Sequence, residues 1–192
     1  MRKIKTQAEI EKRQNRNKVI IALVFVVLMV FSTAGFALFS GTGISSKKNT
    51  KNYNGIEFNA NENGYWDFKI QNQAFQTSYT PDETQEIESD FISISEINGK
   101  PLYFVNPEAT SLNEIVYNLG RYATRYQEAC LKGLNCTNSD NIIKTCDDNV
   151  IVFQESNETS IKRNDNCIYI NYSPGNEIIV GNRLIFKALG VQ

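Results

Sequence analysis

The segment SLNEIVYNLGRYATRYQEACLKG, residues 111–133, decides whether the chain is read as all-β or as a mixture of helices and strands. Leu112, Ile115, Leu119, Ala123, Tyr126 and Cys130 recur at intervals of three and four, the spacing of one helix face. Ser111 followed by Glu114 reads as a capping box at the start, and Lys132-Gly133 as the stop. The spacing predicts one helix of about 22 residues with a single buried face. Its other stripe, Arg121, Arg125, Glu128 and Lys132, reads as solvated surface before it reads as an anion site.

Toward the N-terminus the period changes to two. Ile56 and Phe58, then Trp66, Phe68 and Ile70, then Phe75, Thr77 and Tyr79 alternate with polar residues, with turn residues at 61–64 and 71–73 between the runs. Alternation bounded by turns predicts a three-strand meander. Thr80-Pro81-Asp82-Glu83 supplies an N-cap, a proline at the first helical position and a capping glutamate, so a short helix to about Ile87 follows. Phe91–Ile97 and Leu102–Val105 flank Asn98-Gly99, which suits a tight hairpin turn, with Pro101 at an edge or at the strand start.

Toward the C-terminus a loop at 133–149 carries two cysteines, and the apolar runs Val150–Phe153 and Cys167–Asn171 fit inner strands. Tyr172-Ser173-Pro174-Gly175 is a turn. Glu177–Leu189 closes the chain as a helix with apolar side chains on most of its circumference, docked on a sheet or shared with a partner. Residues 53–192 are therefore expected to form one α+β domain: an N-terminal β-meander, a long central helix, further strands and a C-terminal helix.

The 192 residues carry 20 basic and 21 acidic side chains, but the near balance hides a polarity. Residues 1–18 hold seven basic and two acidic side chains, and the 21 residues from Val19 to Phe39 hold no charge. Such a run matches a hydrocarbon core of roughly 30 Å, and the basic excess before it predicts a cytoplasmic tail. The expected organisation is a basic tail (1–18), a transmembrane helix in the lipid bilayer (19–39), a flexible Gly/Ser/Lys-rich stalk (40–52) and an extracytoplasmic domain (53–192). The protein is then a single-pass, N-in protein of the cell membrane. A cleaved signal peptide is the rival, with Ser32-Thr33-Ala34-Gly35-Phe36-Ala37 as the cleavage region, and it exports the same domain. Topology and anionic lipid account for the basic tail, and no recognition motif points to nucleic acid.

The chain has no histidine, which removes the commonest general base, the Ser/His and Cys/His nucleophile pairs and the commonest zinc ligand. Cys130, Cys136, Cys146 and Cys167 all lie in the expected exported part, are even in number and contain no Cys-x-x-Cys pair. They read as a disulfide framework, not a zinc site. Three connectivities exist; a Cys130 on a buried helix face favours Cys130 with Cys167 and Cys136 with Cys146. Sequons at Asn135, Asn157 and Asn171 occur at the number chance gives. A histidine-free hydrolase would need a carboxylate pair, for which Asp147 with Asp148, or Glu83 with Glu86, are the places to look. Solvated surface is the simpler reading of both. Tyr65-Trp66 and the other tyrosines could line a sugar- or peptide-binding surface, although core packing explains most of them. No catalytic, cofactor-binding or metal-ligating residue is assigned.

The tail and span ending in Phe31-Ser32-Thr33-Ala34-Gly35-Phe36, then Asn54-Gly55-Ile56-Glu57-Phe58, Cys146-Asp147-Asp148-Asn149, Asn166-Cys167-Ile168-Tyr169-Ile170 and the closing residues 182–190, make a layout that covers most of the chain. It resembles short, uncharacterised single-pass membrane proteins of small-genome archaea. The resemblance implies membrane anchorage and brings no activity, ligand or site. The expectation is a membrane-anchored binding or assembly module of the envelope with a protein partner on the outer side. A carboxylate-based envelope hydrolase and a structural subunit of a membrane complex are the alternatives.

Overall fold

The computed structural model describes residues 17–29, 49–136 and 141–192, in two units that divide after Lys47. In the first unit residues 17–29 form helix α1, whose apolar side chains, Val19 to Met29, are exposed. Among the described residues no helix is long and apolar enough to cross a membrane. Residues 30–39 of the expected span, residues 1–16 of the tail and residues 40–48 of the stalk lie outside the described residues.

The second unit is α+β. Its first part is a four-stranded antiparallel meander, β1 (Thr50–Tyr53), β2 (Ile56–Ala60), β3 (Trp66–Ile70) and β4 (Gln73–Thr77), one strand more than the alternation suggested. The added strand comes from the expected stalk: Thr50 to Tyr53 pair with Asn59 to Ile56 across a two-residue turn at Asn54-Gly55. Both turn residues have positive φ, 49° and 81°, the conformation that Asn-Gly adopts in a hairpin. Alternation places Phe58, Phe68 and Phe75 on one face, where they are buried against Phe186, with Phe58 and Phe68 centroids 4.5 Å apart. Lys51 lies 5.0 Å from the Trp66 ring.

After β4 come the short helices α2 (Pro81–Thr84) and α3 (Ile94–Ile97), separated by the two-residue strand β5 (Glu88–Ser89). Burial tends to raise the Glu83 carboxyl, but hydrogen bonds from the Thr80 hydroxyl and N–H, with Lys51 3.8 Å away, bring it below its ordinary value. The remaining strands, β6 (Pro101–Val105), β7 (Arg125–Leu131), β8 (Ile142–Lys144), β9 (Val150–Glu155), β10 (Ser160–Asn164) and β11 (Cys167–Tyr172), form with β5 a seven-stranded sheet of order β5-β10-β11-β9-β6-β7-β8. All of its pairs are parallel except β10 with β11. Helices α4 (Ala109–Leu119) and α5 (Glu177–Ala188) cover one face of it.

Helix α5 lies between the two sheets. Val180, Leu184, Ile185 and Ala188 face the large sheet, while Phe186 faces the phenylalanines of the small one. This two-sided burial accounts for the apolar circumference seen in its sequence.

Four expectations are corrected. The long central helix is two elements: α4 ends at Leu119, a turn over 120–124 follows, and residues 125–131 form β7, paired in parallel with β6. A spacing of four belongs to both periods, since residues i and i+4 share a face of a strand as well as of a helix, so Tyr126 and Cys130 carried no helical information. Ala129 and Leu131, which alternate with them, are buried. The start of α4 also moves. Glu108 caps it, accepting from the Thr110 and Ser111 N–H groups at 3.1 and 2.8 Å, so Ser111 and Glu114 are interior residues and not a capping box.

The Asn98-Gly99 hairpin is a helix-to-strand turn. Ser93 and Glu96 cap α3 over Ile94–Ile97, Gly99 takes φ 73°, and Pro101 opens β6 at the strand start. The favoured disulfide pairing is likewise replaced, by Cys130–Cys136 and Cys146–Cys167. Cys130 lies on a strand near the sheet edge, with Cys136 just beyond the turn that follows it; Cys146 leads into β9, whose neighbour β11 begins at Cys167.

Non-reducing peptide mapping is expected to yield the 130–136 and 146–167 pairs, and a 130–167 peptide would refute this connectivity. By loop length, removing Cys146–Cys167 is expected to cost about 3 kcal/mol and removing Cys130–Cys136 about 2 kcal/mol, read by urea denaturation.

Where α4 crosses α5, a Cβ on Gly181 would stand 2.2 Å from the Ser111 Oγ, itself a buried hydroxyl without a partner. Gly181→Ala is expected to destabilise by about 1–3 kcal/mol, the usual cost of overpacking. Adding Ser111→Ala should restore most of that loss, since the next nearest atom, the Ser111 Cβ, is 3.4 Å away. Equal losses in the single and double variants would show that this crossing is not the tight contact.

Candidate functional site

The candidate site lies where α4 meets the small sheet. Strand β4 is an edge strand, and in an antiparallel pair alternate backbone groups point away from the partner. On β4 and the residues after it these outward groups meet polar side chains of α4 and α5. The Gln76 N–H donates to Asn118 Oδ1 at 3.0 Å, and Asn118 Nδ2 donates to the Gln76 carbonyl at 2.7 Å, so one side-chain amide acts as a paired strand residue. The Ser78 N–H donates to Glu114 Oε2 at 3.1 Å, and the Ser78 hydroxyl donates to Glu114 Oε1. Asn182 completes the set, accepting from the Tyr79 N–H at 2.8 Å and donating to Glu114 Oε2 at 2.6 Å. Glu114, Asn118 and Asn182 are all buried.

Because Glu114 and Asn118 hold this edge, the neighbouring turn of α4 faces a groove. A recess of about 210 Å³ is lined by Tyr65, Gln76, Thr110, Asn113, Glu114 and Tyr117. It adjoins a wider one of about 860 Å³ along the outer face of β2–β4, which shares Gln76 and Tyr117 with it. Glu57, Asn59, Asp67 and Lys69 point into the wider recess from alternate strand positions, opposite the phenylalanine core. Asp67 accepts from the amides of Gln76 and Asn61 at 2.8 and 3.1 Å. Tyr117 is 55 % exposed, and the Arg121 guanidinium sits 4.9 Å from the Phe75 ring centroid and 6.0 Å from that of Tyr117. The lining carries three carboxylates, Glu57, Asp67 and Glu114, and one cation, Lys69.

Of the residues singled out in the sequence, Tyr65 lines this groove, whereas Trp66 faces the other side of β3 with Phe68 and Ile70. Neither carboxylate pair lines this groove. Asp148 pairs with Lys144 at 3.2 Å, Asp147 accepts from the Thr145 hydroxyl, Glu83 caps α2 and Glu86 is exposed. The proposed stripe of Arg121, Arg125, Glu128 and Lys132 is broken up, since Arg121 follows α4 while Arg125 and Glu128 belong to β7. Asn135 and Asn157 are exposed, but Asn171 lies within β11 and donates to Ser160 at 3.2 Å. Thr110, Asn113, Glu114 and Tyr117 escaped the sequence reading. The available signal was Tyr117, an aromatic ring on the α4 face opposite Ile115 and Leu119.

Among the described residues no group of three or more Cys, Asp or Glu could hold a metal ion. All four cysteines are paired, which points to an oxidising, extracytoplasmic compartment. No family model, no curated protein and no solved structure matches the chain, so the reading of the site rests on its geometry.

Asn118→Leu strips the Gln76 N–H and C=O of their partners and is expected to cost about 2–4 kcal/mol. Hydrogen exchange should show the loss first at Gln76 and Ser78. Unchanged protection there would mean that α4 does not hold the edge of β4.

Proposed function

We propose that the protein is a membrane-anchored binding module of the cell envelope, held in the bilayer through residues 19–39 and presenting the Tyr65–Tyr117 groove outside the cell. The observation that carries this reading is the groove itself, a polar recess with an exposed aromatic residue between α4 and the small sheet, whose wider part of about 860 Å³ falls in the size range of small-ligand sites, roughly 300–1,000 Å³. The disulfides support the compartment, and the uncharged run behind a basic tail supports the anchor.

The two other readings draw less support. A hydrolase needs a carboxyl group free to exchange protons, but Glu114 accepts from three donors, Asp67 from the Gln76 and Asn61 amides and Glu57 from the Asn59 amide, and neither pair of acids seen in the sequence lines the groove. A structural subunit would be marked by apolar area on the last helix, yet Val180 to Phe186 are buried within their own domain.

Two measurements test the proposal on the full chain in native membranes. Carbonate-resistant membrane association with residues 1–39 retained is expected, and a mature start near Leu38 would remove the anchor. A photo-crosslinking side chain at Asn113 is expected to give an envelope adduct that the same probe at Lys162, on β10, does not. Equal labelling at the two positions would refute the groove as the binding surface.

A further inference from the structure

Resting on the binding-module reading above, we infer that the groove takes an oligosaccharide of neutral or amino sugars, with the Tyr117 ring as its stacking platform. Charge is the first argument. With Glu57, Asp67 and Glu114 against Lys69 in the lining and Arg121 beside Phe75 and Tyr117, the balance is a single negative charge, which favours a neutral or cationic chain over a polyanion.

Hydrogen-bonding capacity is the second. The side-chain amide of Asn113 and the hydroxyl of Thr110 have no partner among the described residues, and they line the same recess as Gln76, whose amide donates to the Asp67 carboxylate in the adjoining one. The amides and the carboxylate are planar groups that match the paired hydroxyls of a sugar ring, and the Thr110 hydroxyl both donates and accepts. Tyr117 is more than half exposed, and the Arg121 guanidinium, which donates to the Tyr117 backbone carbonyl at 3.1 Å, stands 6.0 Å from the centroid of its ring. An aromatic face of this kind packs the C–H side of a pyranose while the hydroxyls reach the polar rim.

The third argument turns on what the groove lacks. A peptide that adds as a strand needs a run of open backbone groups along the edge, but both groups of Gln76 and the Ser78 N–H are already taken by Asn118 and Glu114, which interrupts the run after Ala74. Recognition in the groove is left to side chains, the mode that suits a saccharide.

The test is saturation-transfer NMR and calorimetry on the full chain in detergent, with tetramers of N-acetylglucosamine, glucose and glucosamine and a heparin tetrasaccharide. Binding of a neutral or amino-sugar tetramer is expected. Tyr117→Ala should weaken it about tenfold, the size of one aromatic contact, with the melting temperature kept. Tyr126→Ala removes a ring of similar exposure, 56 %, on β7 and should leave binding unchanged.

Three results would overturn the inference: no binding of any of the three tetramers at millimolar concentration, tighter binding of the heparin fragment, or equal effects of the two tyrosine variants. A peptide adduct at the Asn113 probe would also overturn the sugar assignment while leaving the binding-module reading intact. Only loss of position-dependent labelling removes both.

Discussion

The outer edge of β4 is the constraint on which the rest of the second unit depends. A strand edge turned toward helices and away from water must find partners for its backbone groups, because an unpaired buried group costs about 1–3 kcal/mol. Helices have no free backbone groups along their sides, so the partners must be side chains of the right length and polarity. Asn118 satisfies both groups of Gln76, Glu114 takes the Ser78 N–H, and Asn182 takes the Tyr79 N–H. These bonds fix the small sheet against α4 and α5, and that docking sets the position of Tyr117 relative to β2–β4. The groove is a consequence of how the edge is closed.

Helix α5 extends the same arrangement. Its apolar side chains are shared between two sheets, and each large one buried contributes about 1.5–3 kcal/mol. Gly181 permits close approach to α4, and Asn182 reaches β4 from the next position. Arg183 is buried as well, with burial drawing its ionisation down; it donates to the Gln192 side-chain carbonyl. Gln192 in turn accepts from Thr84, so α2 and the last turn of the chain are tied together.

Among the described residues of the second unit, no helix packs on the other face of the large sheet. Tyr103, Val105, Val150 and Val152 are covered by the segment after β7, where Leu134, Cys136 and Cys146 pack, and the two disulfides fasten that segment. Short cross-links supply here what a packed helix supplies on the opposite face. Tyr103 marks the margin of this layer. Arg125 donates to its hydroxyl at 2.9 Å, and the Lys144 ammonium stands 4.2 Å from its ring centroid. The hydrogen bond from Arg125, with Lys144 beside it, lowers the phenol from its ordinary value, against the opposing effect of burial.

Local signals that reached only a few residues were legible in the sequence. The alternation of Phe58, Phe68 and Phe75, the Thr80-Pro81 helix start, the apolar runs of β9 and β11 and the circumference of α5 all reflect short-range periodicity or capping. Strand β10 was not legible, because its single apolar side chain, Ile161, stands among Ser160, Lys162, Arg163 and Asn164, and the strand forms where β11 pairs along its length and β5 pairs with Ser160 and Ile161. The division of residues 111–132 into α4 and β7 was decided by the vacant edge of β6, which no local spacing records. The same holds for Glu114: read as a cap from Ser-x-x-Glu, it became the acceptor for β4 once Glu108 had taken the cap. Sequence alone determined the charge polarity, the absence of histidine chemistry and the disulfide content. Tertiary structure decided the cysteine partners, the edge closure and the groove, because each depends on residues that folding brings together from distant parts of the chain.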